Sequence, residues 1–249
     1  MKEAVFHFVV GSKADATKVG SKADATNGVA AKADAARGDT TSAVIYRAVH
    51  ARAVLILAHG AGAPQTHPWM VRMASAIAAR GLDVVTFNFL YADARRRVPD
   101  KNAVLEATWR AAVDAVRARD DLAHGRLFLG GKSMGGRIAT QVAADPEGLG
   151  DVAGLVLLGY PLHPPGRPDK LRVAHLERVQ PPMLFVQGTR DAFGSPAELA
   201  PFVDPLALRG TRIFPVESGD HSLTPLKSSG LGLEQVLARV ADEIASFTG

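Results

Sequence analysis

Apolar residues fall along this chain in short continuous runs separated by stretches of helical periodicity, and that alternation gives the first structural reading. Val5 to Val10 and Ser42 to Val49 read as two strands able to pair as a hairpin. Val54 to Ala58 is an unbroken apolar run, the pattern of a strand buried on both faces, and Val152 to Gly159 reads as another buried strand; Leu82 to Phe89, Met183 to Gln187 and Thr211 to Val216 read as further strands. Leu127 to Leu129 is a shorter strand of the same kind. Between them, Trp69 to Arg80 reads as a helix closed by Gly81, a C-terminal cap signal. Lys101 to Arg119 reads as a long helix with Ala103, Ala107, Ala111 and Ala115 along one stripe, and Leu90 to Asp100 before it as a loop. A helix from Met134 carries Ile138, Ala139, Val142 and Ala143 on one face, and Leu233 to Phe247 closes the chain with Val236, Leu237, Val240, Ile244 and Phe247. Strands alternating with helices predict a mostly parallel sheet covered on both faces, with functional loops at the carboxyl ends of the strands.

One segment breaks the pattern. GSKADAT at Gly11 recurs at Gly20, and AAKADAA at Ala30 is a decayed third copy. The period is too short for a solenoid, and alanine is the only apolar residue the units repeat for a core. We read 11–41 as a low-complexity insertion in the N-terminal hairpin of a single domain spanning 1–249, because loop-closure entropy grows slowly with length.

Composition narrows the chemistry. The chain has 249 residues, 47% hydrophobic and 22% charged, which fits one globular domain with a large core. A formal net charge of +4, partly local to Arg95, Arg96 and Arg97, weakly favours anionic ligands and does not predict a nucleic-acid partner. The absence of cysteine excludes disulfides, thiolate metal sites and a cysteine nucleophile. The opening MKEAVFHFVVG is too short and polar for a signal peptide, and no run is long enough for a bilayer, so a soluble cytoplasmic protein with no membrane partner is expected. Oligomeric state, monomer or homodimer, is left open. No G-x-G-x-x-G after the first strand, no P-loop and no H-E-x-x-H is present, so nucleotide and zinc chemistry have no motif to rest on.

The informative stretch is Arg126 to Ala143, RLFLGGKSMGGRIATQVA. Gly131-Lys132-Ser133-Met134-Gly135 is a G-x-S-x-G with strand before it and helix after it. A strand that reverses abruptly into a helix strains its central residue, and glycines two positions either side remove the collisions. Ser133 is thereby placed at the tip of the turn, facing the positive end of a helix. A serine nucleophile needs a base oriented by a carboxylate. Asp191 follows the strand ending at Gln187, and His221 alone of the eight histidines follows the last strand, giving the order serine, acid, histidine. Asp220 is the rival acid, but neighbouring side chains aim apart, and its expected work is to stabilise the turn. Strand Val54 to Ala58 runs into His59-Gly60-Ala61-Gly62, where glycine lets a loop present a backbone N–H to a developing oxyanion. His59 is expected to hold that loop by hydrogen bonds, Lys132 to pair with a carboxylate, and Arg95, Arg96 and Arg97 to form a solvated face or recognise an anion. His163 lies in the loop after the strand ending at Gly159 and could line the pocket.

Gly131-Lys132-Ser133-Met134-Gly135-Gly136-Arg137, His59-Gly60-Ala61-Gly62, Asn88-Phe89-Leu90-Tyr91 and Gly219-Asp220-His221-Ser222 resemble the α/β-hydrolase superfamily. The likeness is to its small dienelactone-hydrolase-like branch, and closer still to a bacterial subgroup whose animal relatives include a chromatin-complex subunit. It covers Ser42 to the end, and the N-terminal repeat lies outside the family pattern. It implies an α/β-hydrolase fold with little or no lid, and Ser133, Asp191 and His221 as catalytic residues. It further implies backbone N–H groups of Ala61 and Met134 as the oxyanion hole, and no cofactor. His59, Gly62, Tyr91 and His163 are expected around the substrate pocket. The expected activity is hydrolysis of a small acyl ester or related acyl compound through an acyl-enzyme. A non-catalytic protein-binding scaffold and a cofactor-free perhydrolase, which peroxide-dependent halogenation would reveal, are the alternatives on the same fold.

Overall fold

Eight strands pair into one sheet in the computed structural model, which describes residues 3–11, 39–122, 125–145 and 149–249. They are β1 (Glu3–Val10), β2 (Asp39–Tyr46), β3 (Ala53–Ala58), β4 (Leu82–Phe87), β5 (Leu127–Lys132), β6 (Gly154–Leu158), β7 (Met183–Gly188) and β8 (Arg212–Val216). Their order is β1-β2-β4-β3-β5-β6-β7-β8; β1 and β2 pair antiparallel, as do β2 and β4, and every later pair is parallel. Every residue of β3, β4, β6 and β7 is buried, which is why these strands read as mostly apolar runs. Among the described residues, five α-helices lie between strands, α1 (Pro68–Ala78), α2 (Leu90–Asp93), α3 (Asn102–Arg117), α4 (Met134–Ala143) and α5 (Pro196–Val203), and α6 (Leu233–Thr248) follows the last. α1 and α6 share a core on one face, while α3, α4 and α5 contribute to the core on the other.

Several elements differ from the sequence expectation, each for a physical reason. β2 begins at Asp39, inside the segment read as an insertion, because Asp39, Thr40 and Thr41 continue the ladder opposite Val10, Val9 and Phe8. The repeat itself, at 12–38, lies outside the described residues. β5 extends three residues past Leu129, through Gly130, Gly131 and Lys132; glycine adds no apolar signal but keeps strands close, and a Cβ on Gly130 would sit 2.6 Å from Val156 O. The alanine stripe of α3 is not its core face. Leu105, Trp109, Ala112, Val113 and Val116 are buried instead, since the larger side chains remove more apolar surface from water. Ala107, Ala111 and Ala115 flank that face, and Ala103 is exposed. α2 occupies the start of the expected loop at Leu90. α5 carries a capping box in which Ser195 and Glu198 satisfy each other's backbone N–H groups. That S-x-x-E signature is present in the sequence, but the helix is short and interrupted by Pro201, so periodicity does not mark it.

Candidate active site

The tip of the β5–α4 turn holds Ser133 at φ 50° and ψ −115°, a left-handed conformation that a side-chain-bearing residue adopts at a strain of roughly 1–3 kcal/mol. The turn closes so tightly that a Cβ on Gly131 would lie 2.5 Å from Gly135 C and Gly136 N. A Cβ on Gly135 would lie 2.6 Å from the carbonyl oxygens of Ala58 and His59. Both glycines are therefore required by close backbone approach, and Ser133 N–H donates to Leu158 O at 2.9 Å to anchor the turn on β6.

Two loops bring partners to this serine. His221, five residues past β8, has Nε2 at 2.8 Å from Ser133 Oγ. Its Nδ1 lies 2.9 and 3.0 Å from the two carboxylate oxygens of Asp191, three residues past β7. The arrangement assigns the tautomer: Nδ1–H donates to the carboxylate, leaving Nε2 to accept from the serine hydroxyl. Asp191 is buried, and its carboxylate also accepts from Phe193 N–H at 2.8 Å and Gln187 Nε2 at 2.9 Å. The Phe193 ring stacks on the His221 imidazole with centroids 4.0 Å apart and planes 27° from parallel. Close approach recurs here: a Cβ on Gly188 would lie 2.4 Å from Gly219 O, so β7 can touch the histidine loop only with glycine at that position. Asp220, the rival acid, accepts from Ser222 N–H at 2.8 Å and Thr224 N–H at 2.9 Å, and so works within the turn.

The His59-Gly60-Ala61-Gly62 loop packs against the nucleophile, where a Cβ on Gly60 would meet Lys132 O at 3.3 Å and Ser133 Cβ at 3.4 Å. Ala61 and Gly62 are exposed beside it, and Met134 opens α4 with an N–H that has no intrahelical acceptor. The other residues expected to line the pocket are turned inward. His59 is wholly buried; its Nδ1–H donates to Gly60 O at 2.8 Å and its Nε2 accepts Phe89 N–H at 3.1 Å, so both nitrogens are used in holding the loop. Tyr91 is buried beside the His59 ring, with centroids 5.8 Å apart. Its hydroxyl lies near the Gly62 backbone without completing a hydrogen bond, and burial raises its pKa. His163 is buried with Nδ1 at 2.9 Å from Pro164 O and Nε2 at 3.3 Å from Glu198, and it reaches the site only through its N–H bond to Phe193 O. Of the four, Gly62 alone is at the surface.

Lys132 does not form the expected ion pair. Its ammonium lies 5.4 Å from the centroid of Trp69, and burial lowers its pKa against the pull of Asp191 and Asp220. Trp69 Nε1 in turn donates to Ser222 O at 2.8 Å, which ties α1 to the residue after His221. Arg95, Arg96 and Arg97 are exposed, and Arg96 pairs with Asp100. Among the described residues no cluster of histidine and acidic side chains could hold a metal ion, and no helix is long and apolar enough to cross a membrane. Neither Gln187 nor Phe193 stands out in the sequence; the first looks like the polar end of a strand, and the second like any loop aromatic.

Buried neutral histidines make stability depend on pH. Burial pushes His59 down to about 4 from 6.5, and burial with the nearby charges of Arg137 and Arg178 pushes His175, whose Nε2 lies 2.7 Å from Thr140 Oγ1, to about 4 as well. The unfolded chain therefore takes up protons first as pH falls, so stability is full above about 6.5 and declines towards about 4. Melting temperature measured across that window should drop steadily as pH falls; a flat profile would contradict the desolvation of the buried His59 and half-buried His175 rings.

The fold has many solved counterparts. The chain is similar to an alpha-beta serine hydrolase homologue from Coxiella burnetii, at 19% identity over 81% of this chain and 91% of that one, with a TM-score of 0.61. A serine hydrolase without lid from Xanthomonas campestris matches at 20% identity over 82% and 89%, with a TM-score of 0.62. A dienelactone hydrolase from Anabaena variabilis matches at 19% identity over 84% and 90%, with a TM-score of 0.60. At such identities these likenesses establish the shared architecture. Residues 51–249 match the family described as alpha/beta hydrolase domain, and the chain belongs to the α/β-hydrolase family.

Proposed function

We propose that the protein is a serine hydrolase of the dienelactone-hydrolase-like kind, cleaving small acyl esters or related acyl compounds through an acyl-enzyme on Ser133. The observation that carries the reading is the unbroken hydrogen-bonded chain from Asp191 through His221 to Ser133 Oγ. Ser133 Oγ attacks the acyl carbon while its proton passes to His221 Nε2, and Asp191 stabilises the imidazolium that forms. Charge developing on the acyl oxygen is met by the backbone N–H groups of Ala61 and Met134, with the α4 dipole aimed the same way. His221 then gives its proton to the leaving alcohol. Water, deprotonated by His221, releases the acid and restores the serine. The segment joining β6 to β7 carries only a 3-10 turn at Leu176–Arg178, and among the described residues no helical lid is inserted there. That suits compact soluble esters better than lipid substrates.

Labelling by a fluorophosphonate probe tests this directly, because such a probe reports an activated serine without knowledge of the substrate. Wild-type protein should label and His221→Ala should not, with both folded. Absence of labelling in folded wild type, with a small probe as well as a large one, would overturn the reading and favour a non-catalytic scaffold. A panel of acyl esters, thioesters and lactones would then sort the substrate class.

A further inference from the structure

The Asp191 carboxylate straddles His221 Nδ1, with one oxygen at 3.0 Å and the other at 2.9 Å. A carboxylate free to rotate about its terminal torsion, which is broad, would not hold that balance by itself. Two further donors grip it from opposite ends: Phe193 N–H on Oδ1 and Gln187 Nε2 on Oδ2. The first is backbone. The second is the side chain of a wholly buried glutamine at the end of β7.

Gln187 is itself fixed on all sides. Its Oε1 accepts Tyr160 N–H at 2.8 Å, and its amide group donates to Gly194 O at 2.5 Å and to Asp191 at 2.9 Å, with Tyr160 O at 3.3 Å nearby. One N–H faces the side chain and three oxygens surround the other end, so only one orientation of a carboxamide satisfies the cage. A glutamate would set two more acceptor lone pairs against those oxygens, and a leucine or methionine would leave them without a donor. Only a carboxamide of this length fits. We propose that Gln187 is a positioning residue of the catalytic apparatus: it clamps Asp191 against His221 and fixes that clamp to the chain leaving β6. The proposal rests on the serine-hydrolase reading above, since it gives Asp191 its work. A buried donor of this kind keeps the carboxylate in one rotamer while the imidazole gains and loses a proton, and so spares the reaction a reorientation at each turnover.

The test compares wild type with Gln187→Leu, confirming the fold of each by thermal melt. With an activated acyl ester, kcat should fall on the order of 10- to 100-fold with KM little changed, because the defect lies in alignment rather than binding. The low-field proton resonance of His221 Nδ1–H, present in wild type, should broaden or vanish in the variant. A folded Gln187→Leu with wild-type kcat and an unchanged low-field proton would overturn the proposal. Should that variant not fold, His221→Ala decides: the Gln187 side-chain amide protons should shift when the imidazole is removed from Asp191, and unshifted resonances would overturn it. Failure of wild type to label with fluorophosphonate, alongside a low-field proton that still depends on Gln187, would remove the hydrolase reading and leave the clamp itself intact.

Discussion

Ser133→Ala should lower the turnover of an activated acyl ester by on the order of a millionfold, the scale seen when the nucleophile of a serine triad is removed. The expectation follows from geometry. Among the described residues Ser133 Oγ is the hydrogen-bond partner of His221 Nε2, and the sequence has no cysteine to replace it. The backbone should not suffer, because alanine meets the same left-handed strain as serine at φ 50°. Steady-state kinetics and a melting curve on the same preparations check both halves. Turnover within tenfold of wild type would place the nucleophile elsewhere.

Asp191→Asn carries the second largest effect. Removing the orienting carboxylate while keeping its shape lowers kcat by about 10⁴, or about 5 kcal/mol of transition-state stabilisation. The surroundings make the loss specific. Phe193 N–H and Gln187 Nε2 each point at one carboxylate oxygen, so both need an acceptor. Asparagine offers a single oxygen, so in either orientation its NH2 faces one of these donors and lies beside His221 Nδ1 as well. Against the imidazole, that NH2 forces Nδ1 to become the acceptor and moves the ring proton to Nε2, where it confronts the serine hydroxyl. The base is then lost although every heavy atom stays in place. A kcat within tenfold of wild type at neutral pH would mean that Asp191 does not orient His221.

How much of this was legible in the sequence depended on what burial does to side chains. β3, β4, β6 and β7 were readable because both of their faces are covered, so nearly every residue is apolar. The convergence of Ser133, Asp191 and His221 was readable because each follows a strand, and a parallel sheet brings those ends to one edge. The core face of α3 was not, since alanine spacing describes a helix as well as Trp109 and Leu105 do, and only packing against Phe87 and α4 selects between the faces. The inward turn of Tyr91 and His163 was also hidden. Their positions along the chain place them near the cleft, whereas the direction of each ring is set by partners such as the His59 ring and Glu198. Gln187 was the least visible, because a buried carboxamide at a strand end gives no pattern until the oxygens around it are known.

The strand order has a consequence for how the site comes into being. From β5 onward the chain lays down β6, β7 and β8 in the same sequence in which they stand in the sheet, each against the edge left by the one before. During synthesis, growth can therefore follow translation one strand at a time, with no earlier strand having to move aside. Ser133 arrives first, Asp191 two strands later, and His221 only once β8 has docked. On the proposed mechanism, the strained serine then waits without its base until almost the whole chain has emerged, and a partly made or truncated protein should be hydrolytically silent.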